Sequence, residues 1–280
     1  MSNKARATKK KREPAIRQPA APNILDDLIA NAPPTMNKAA RIDPIDFDAL
    51  PLERLEAMAA AAEEVINCHR VLAKSGENIV GELLRDVETF FEWDHYPDSD
   101  VYDTETHSQF YYHAHPEDER PGEHGHFHTF LRPDGMPKGI KPAKVPDYEP
   151  KEDPDDELSH LIAISMDKFG VPIRLFTVNR WVSADVWYDA EDVITLLDYF
   201  EMDLAQPSWP INRWITGMLQ LFQPQIAALL RARDAKVAEW QAAHPDTNVF
   251  TDEELETTSL LQITVDDHVR KITAALAKRR

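Results

Sequence analysis

From Asp48 onward, apolar side chains return at alternating steps of three and four, through Leu55, Met58, Ala62, Val65, His69 and Leu72. That spacing predicts a helix with one buried stripe, and Gly76 after Lys74 supplies a C-terminal stop. A second stretch, Asn78 to Trp93, repeats the pattern through Ile79, Leu83, Val87, Phe90 and Phe91 before Pro97. The two together predict a helical hairpin. Between residues 94 and 157 the periodicity gives way to prolines, acidic clusters and short alternating runs. Two β-rich pieces follow, His160 to Met166 and Val171 to Val178, joined by Asp167-Lys168-Phe169-Gly170, which reads as a β-hairpin.

The rest of the chain reads mainly as helix. Asp189 caps a segment to about Met202, with Val193, Leu196, Leu197 and Phe200 on one side. Ser208 and Pro210 open another, whose stripe of Ile211, Trp214, Ile215, Met218, Leu219 and Phe222 meets Pro224, so a break or kink is expected before a segment ending near Trp240. Thr251 with Glu254 resembles a capping box, and Asp266 starts a last helix. The expectation is one α+β domain over residues 48–280, with a helical hairpin, a small antiparallel sheet and a helical C-terminal half.

Composition sharpens this picture at the N-terminus. Residues 1–22 hold seven basic side chains (Lys4, Arg6, Lys9, Lys10, Lys11, Arg12 and Arg17) against Glu13, with three prolines and almost no large apolar residue. They read as a disordered basic tail, either solubilising or a contact arm for nucleic acid or an anionic surface. Residues 23–47 read as a linker with one docking turn at Ile24, Leu25, Leu28 and Ile29. The whole chain carries 49 acids against 31 Lys plus Arg, a net charge of -18, which counts against a body that grips nucleic acid. There is no secretory h-region and no 18-residue apolar run, so no membrane span is expected. A lone cysteine, Cys68, excludes an internal disulfide framework and fits the cytoplasm. No Gly-rich phosphate loop and no Gly-x-Ser-x-Gly elbow occurs.

The candidate chemistry lies in the histidines. Seven of the eleven, His95, His107, His113, His115, His124, His126 and His128, fall within 34 consecutive residues. Period two places Tyr111, His113 and His115 on one face of a first strand, and His124, His126 and His128 on one face of a second. Paired around the Pro121-Gly122 turn, the simplest register sets His115 opposite His124, His113 opposite His126 and Tyr111 opposite His128. Directly opposed side chains are close enough to share one metal ion. The expected ligands are His113, His115, His126 and His128, with His124, Glu123 and Glu105 as further donors, and a divalent Fe, Zn or Mn ion as cofactor. Residues 92–157 hold 18 acids against six Lys plus Arg, a field that concentrates cations.

Tyr111, His160, Asn179 and Arg180 are candidates for holding a small-molecule substrate, Arg180 as a clamp for a carboxylate or phosphate. The plainer reading pairs Arg180 with Asp185 and puts Trp181 in the core. His69 reads as a hydrogen-bonded core residue, and Trp209, Trp214 and Trp240 as packing. Function then reads as a cytoplasmic metal-dependent oxidoreductase or hydrolase. The alternatives are a module that binds a protein partner through the ribbon, a metal buffer, and a solvated, pH-sensitive histidine patch.

The runs GEHGHFHTF (Gly122 to Phe130) and HLIAISMDKFGVPIRLFTVNRWV (His160 to Val182), with the helix after Trp209, resemble an uncharacterised bacterial family of unknown function over about residues 50 to 275. The resemblance implies a bacterial origin and carries no reaction, cofactor or catalytic residue.

Overall fold

The computed structural model describes residues 34–279. The tail of residues 1–22 and the turn expected at Ile24, Leu25, Leu28 and Ile29 lie outside the described residues. The chain opens with α1 (Pro34–Asn37), β1 (Ala40–Arg41), α2 (Leu52–Ala73) and α3 (Ile79–Leu83). Five strands follow: β2 (Tyr96–Tyr102), β3 (Ser108–His113), β4 (Gly125–Leu131), β5 (Ser159–Met166) and β6 (Pro172–Val178). Then come α4 (Arg180–Ser183), α5 (Ala190–Leu196), α6 (Trp209–Leu221), α7 (Gln223–Ala243), β7 (Thr257–Gln262) and α8 (Val265–Ala277).

The architecture is α+β, and its sheet is larger than expected. Among the described residues seven strands run in the order β1-β7-β6-β5-β4-β3-β2, antiparallel except for the β1–β7 pair. Every residue of β3, β4 and β5 is buried, so the sheet is covered on both faces. One face sends Phe110, Tyr112, Phe127, Ile162, Ile164 and Leu175 into the main core with the α2 stripe and α6. The Phe127 and Trp214 rings lie 5.3 Å apart there. Gly217 lets α6 close on α2, because a Cβ at that position would stand 2.9 Å from Val65 Cγ2. The opposite face carries Tyr111, His113, His126, His128, His160, Arg174 and Phe176, the set that builds the site.

Several local expectations change. The second arm of the helical hairpin stops at Leu83. Beyond it, the Tyr96 hydroxyl accepts the Phe91 amide at 2.7 Å and the Ala114 carbonyl accepts that of Trp93 at 2.9 Å, so tertiary partners replace helical ones. The helix from Asp189 ends at Leu196 rather than near Met202. Ser108 Oγ takes the Glu201 amide and Thr216 Oγ1 that of Met202. Thr251 and Glu254 start no helix: Asn248 caps a single 3-10 turn over Val249–Thr251, and the chain then enters β7. Within the expected linker, Ala40–Arg41 pairs with β7 and Met36 is buried against Arg174.

The break at Pro224 separates α6 from α7. His69 accepts from Trp214 Nε1 at 3.0 Å. Trp209 is 53% exposed, so it does not pack into the core as expected.

Gly125 begins β4 where a Cβ would lie 2.5 Å from both the His113 carbonyl oxygen and the Tyr112 hydroxyl. The carbonyl cannot move without opening the ladder, and the buried Tyr112 ring cannot move without giving up its bond to His124. Gly125→Ala is therefore expected to lower the unfolding free energy by about 1–3 kcal/mol, read from urea denaturation. An unchanged midpoint would contradict the packing described.

Candidate metal centre

The β3–β4 ladder has the register that the spacing demands, with Tyr111 opposite His128 and His113 opposite His126. It ends there, so His115 and His124 do not pair as strand residues. A register shift between Thr129 and Phe130 in the β4–β5 ladder sets Phe130 opposite His160 and brings a further imidazole to His128. Bulges of this kind re-aim a side chain locally.

Three ring nitrogens converge: one each from His113, His126 and His128, all within 4.8 Å of one another and all from buried residues. His113 Nε2 and His126 Nε2 face each other at 2.7 Å. Glu123 Oε1 lies 2.6 Å from His126 Nδ1. A carboxylate can only accept, so the His126 proton sits on Nδ1, and its Nε2 lone pair accepts from His113 Nε2–H, a proton that a metal ion would replace. His128 Nδ1 lies 2.9 Å from His160 Nε2, while His128 Nε2 has no hydrogen-bond partner among the described residues. His115 stands at the margin, its ring centroid 5.0 Å from His113 and 5.3 Å from His126. Its Nδ1 is 3.3 Å from Glu119 and its Nε2 is buried without a hydrogen-bond partner among the described residues.

Glu123 is itself held between cations. Arg174 Nη1 is 3.7 Å from its free Oε2, and Arg120 Nη1 is 4.0 Å from Oε1. Arg120 also pairs with Glu256 and lies over the Phe176 ring at 5.0 Å. His95 stacks on Tyr111 at 3.7 Å and bonds Asp100. Of these, Arg174 was legible as a charged residue inside the apolar run Ile173-Arg174-Leu175-Phe176. Arg120 and Glu256 come from segments with no local signal.

Burial keeps the cluster neutral. It pushes His113 down to about 3, helped by the neighbouring His115, His95 and Arg120. It pushes His115 to about 4, with Arg120 adding to the effect, and His160 to about 3, with Arg233 adding. His126 and His128 are driven well below the ordinary range, first by burial and then by adjacent imidazoles. A neutral imidazole is the form that binds metal. The solvated, pH-sensitive patch does not describe these residues, since His126 is 1% and His128 0% exposed.

Other expected site residues lie elsewhere. His124 Nδ1 bonds the Tyr112 hydroxyl at 2.7 Å, and Tyr112 faces away from His113. Glu105 is exposed on a turn where its amide bonds Asp103. Asn179 is spent on the Val249 carbonyl and the Arg180 amide. Arg180 lies 5.9 Å from the Phe250 ring, in a separate cavity. Asp185 bonds Ser183 Oγ and the His160 amide instead of Arg180. Trp181 is only partly buried and donates to the Leu255 carbonyl. Tyr111 does join the cluster, its ring 5.0 Å from His128.

The depressed histidines set a pH dependence. Above the ordinary histidine pKa near 6.5, folded and unfolded chains are both neutral at these sites. As pH falls below it, the unfolded chain takes up protons that the native cluster refuses, so stability drops toward the native values of about 3 to 4. Asp185, raised to about 6 by burial, works in the opposite direction over the acid range, one group against five. The urea midpoint should therefore decline between about pH 6.5 and 4; a flat or rising midpoint would count against neutral burial.

No curated protein and no solved structure matches the chain. A family model described as a domain of unknown function matches residues 59–263, which include β2 to β7 apart from its edge partner β1 and every histidine of the cluster. On that match, which spans well over half its length, the chain belongs to the DUF6969 family.

Proposed function

We propose that the protein is a metal-dependent enzyme, an oxidoreductase or hydrolase acting on a small molecule, with one divalent ion on the Nε2 atoms of His113, His126 and His128. The observation that carries this reading is the convergence of three buried, neutral imidazoles, with His128 Nε2 lacking any other partner and Glu123 fixing the His126 tautomer. Carboxylate-histidine pairs of this kind orient ligands and raise their basicity. Three protein nitrogens leave positions open, and an ion so held supplies Lewis acidity and activates water. The all-nitrogen donor set favours Zn or Fe over Mn.

The chain's own groups have distinct tasks in this reading. Glu123 holds His126, Arg120 and Arg174 balance the Glu123 charge, and His160 orients His128. A partner-binding ribbon has less support because the ribbon is buried, and a buffer is expected to take several exposed ions rather than one buried one. Cytoplasmic residence belongs to the same proposal, supported by the single cysteine. Among the described residues no helix is long and apolar enough to cross a membrane.

Elemental analysis of tag-free protein purified without added metal tests the assignment. About one ion per chain is expected, with loss in His126→Ala/His128→Ala. Equal traces in both proteins, with no gain on reconstitution, would sink it. Glu123→Gln should retain the ligands but weaken metal affinity by about 10–100-fold in chelator competition; unchanged affinity would remove the orienting role.

A further inference from the structure

A cavity of about 440 Å³ opens beside the histidine cluster, between the loop after β3, the β5–β6 turn and residues 90–92. Its size suits a small molecule. His115 and Glu123 line it. Glu123 bonds His126 directly, and the His115 ring is one imidazole away from His113. His115 Nε2 is also buried with no hydrogen-bond partner among the described residues, whereas Glu123 Oε2 is ion-paired with Arg174. The cavity therefore adjoins one residue with a buried, unpartnered imidazole nitrogen at the edge of the centre.

Two features of its wall restrict what can bind. First, carboxylates dominate: Glu92, Glu117 and Asp167 join Glu123, against Lys168 alone. Arg120 and Arg174 balance Glu123 from behind, which leaves the other three acids in excess over Lys168. Second, aromatic faces stand at the mouth. Phe90 and Phe169 line the cavity, and Phe169 is 67% exposed. Trp93, 54% exposed, is held at φ 73 with its ring centroid 4.1 Å from that of His115. Its indole packs against His115, which lines the cavity. Aromatic faces beside carboxylates attract organic cations and repel anions.

We infer that this cavity is the substrate site of the centre and takes an organic ammonium compound with a flat or apolar body. The ammonium group lies among Glu92, Glu117 and Asp167, and the apolar body lies against Phe90 and Phe169. The inference rests on the proposed metal site only in calling the bound molecule a substrate; recognition of the cation needs no ion.

Calorimetric titration of the full chain, stripped of metal by chelator, with 2-phenylethylamine and with 3-phenylpropionate separates charge from shape. The amine should bind at least about tenfold more tightly than the acid. Its affinity should fall severalfold in Phe169→Ala and in Glu92→Gln/Glu117→Gln, all changes at exposed positions that leave the fold intact by circular dichroism. Equal or tighter binding of the acid, no binding of the amine, or undiminished binding by these variants would overturn the inference. The His126→Ala/His128→Ala protein keeps the two readings apart. Loss of metal with amine binding retained is expected. Amine binding in a parent protein that never holds metal would leave the cavity standing and remove the metal centre, whereas metal held without amine binding would do the reverse.

Discussion

The constraint on which this molecule turns is the burial of imidazoles on and beside one sheet face. A polar group buried without a partner costs about 1–3 kcal/mol, and four histidines of this face, with His115 just beyond the end of β3, are in contact. Each must be neutral, and each must find another nitrogen, a carboxylate or a ligand. The contacts between them meet part of that demand, through His113 with His126 and His128 with His160. What is left over, at His128 Nε2 and His115 Nε2, is the chemical signature of the site. A fold selected for stability alone would fill such a face with Val, Ile and Phe, as the opposite face does.

The surroundings make sense as support for that face. Glu123 enters from a loop, and a carboxylate so deeply buried needs positive charge nearby. Arg174 comes from β6 and Arg120 from the same loop as Glu123, with Glu256 balancing Arg120 from the segment before β7. Charges drawn from separate parts of the chain thus converge on one imidazole. Met36, far away in sequence, closes over Arg174, so residues that precede the first long helix take part in shielding the centre.

How far the sequence revealed this depends on the range of each interaction. The His113–His126 pairing was legible because it needs only period two and one turn, and the paired strands have both. The α2 stripe and the break at Pro224 are equally local. The sheet's extent was hidden, since β7 reads Thr-Thr-Ser-Leu-Leu-Gln and β2 contains Pro97, Asp98 and Asp100, patterns without clean alternation. The second arm of the helical hairpin failed for the opposite reason: its apolar spacing was good, but Tyr96 and Ala114 compete for its amides. His124 kept the right spacing yet left the cluster because the strand starts one residue later, at Gly125, where the Tyr112 hydroxyl captures its ring. His160 joined through a bulge that no local pattern announces.

The two ends of the sheet carry a further consequence. At one end β1 offers two residues, and at the other β2 pairs irregularly, with its register broken between Tyr96 and Val101 and acidic side chains along its length. Long, flat, open strand edges template pairing with other chains, and short or irregular charged ones discourage it. A sheet this wide, buried on both faces, would be an aggregation hazard with regular borders. Its borders are blunt at both ends, which lets it keep seven strands of buried surface without recruiting an eighth from a neighbour.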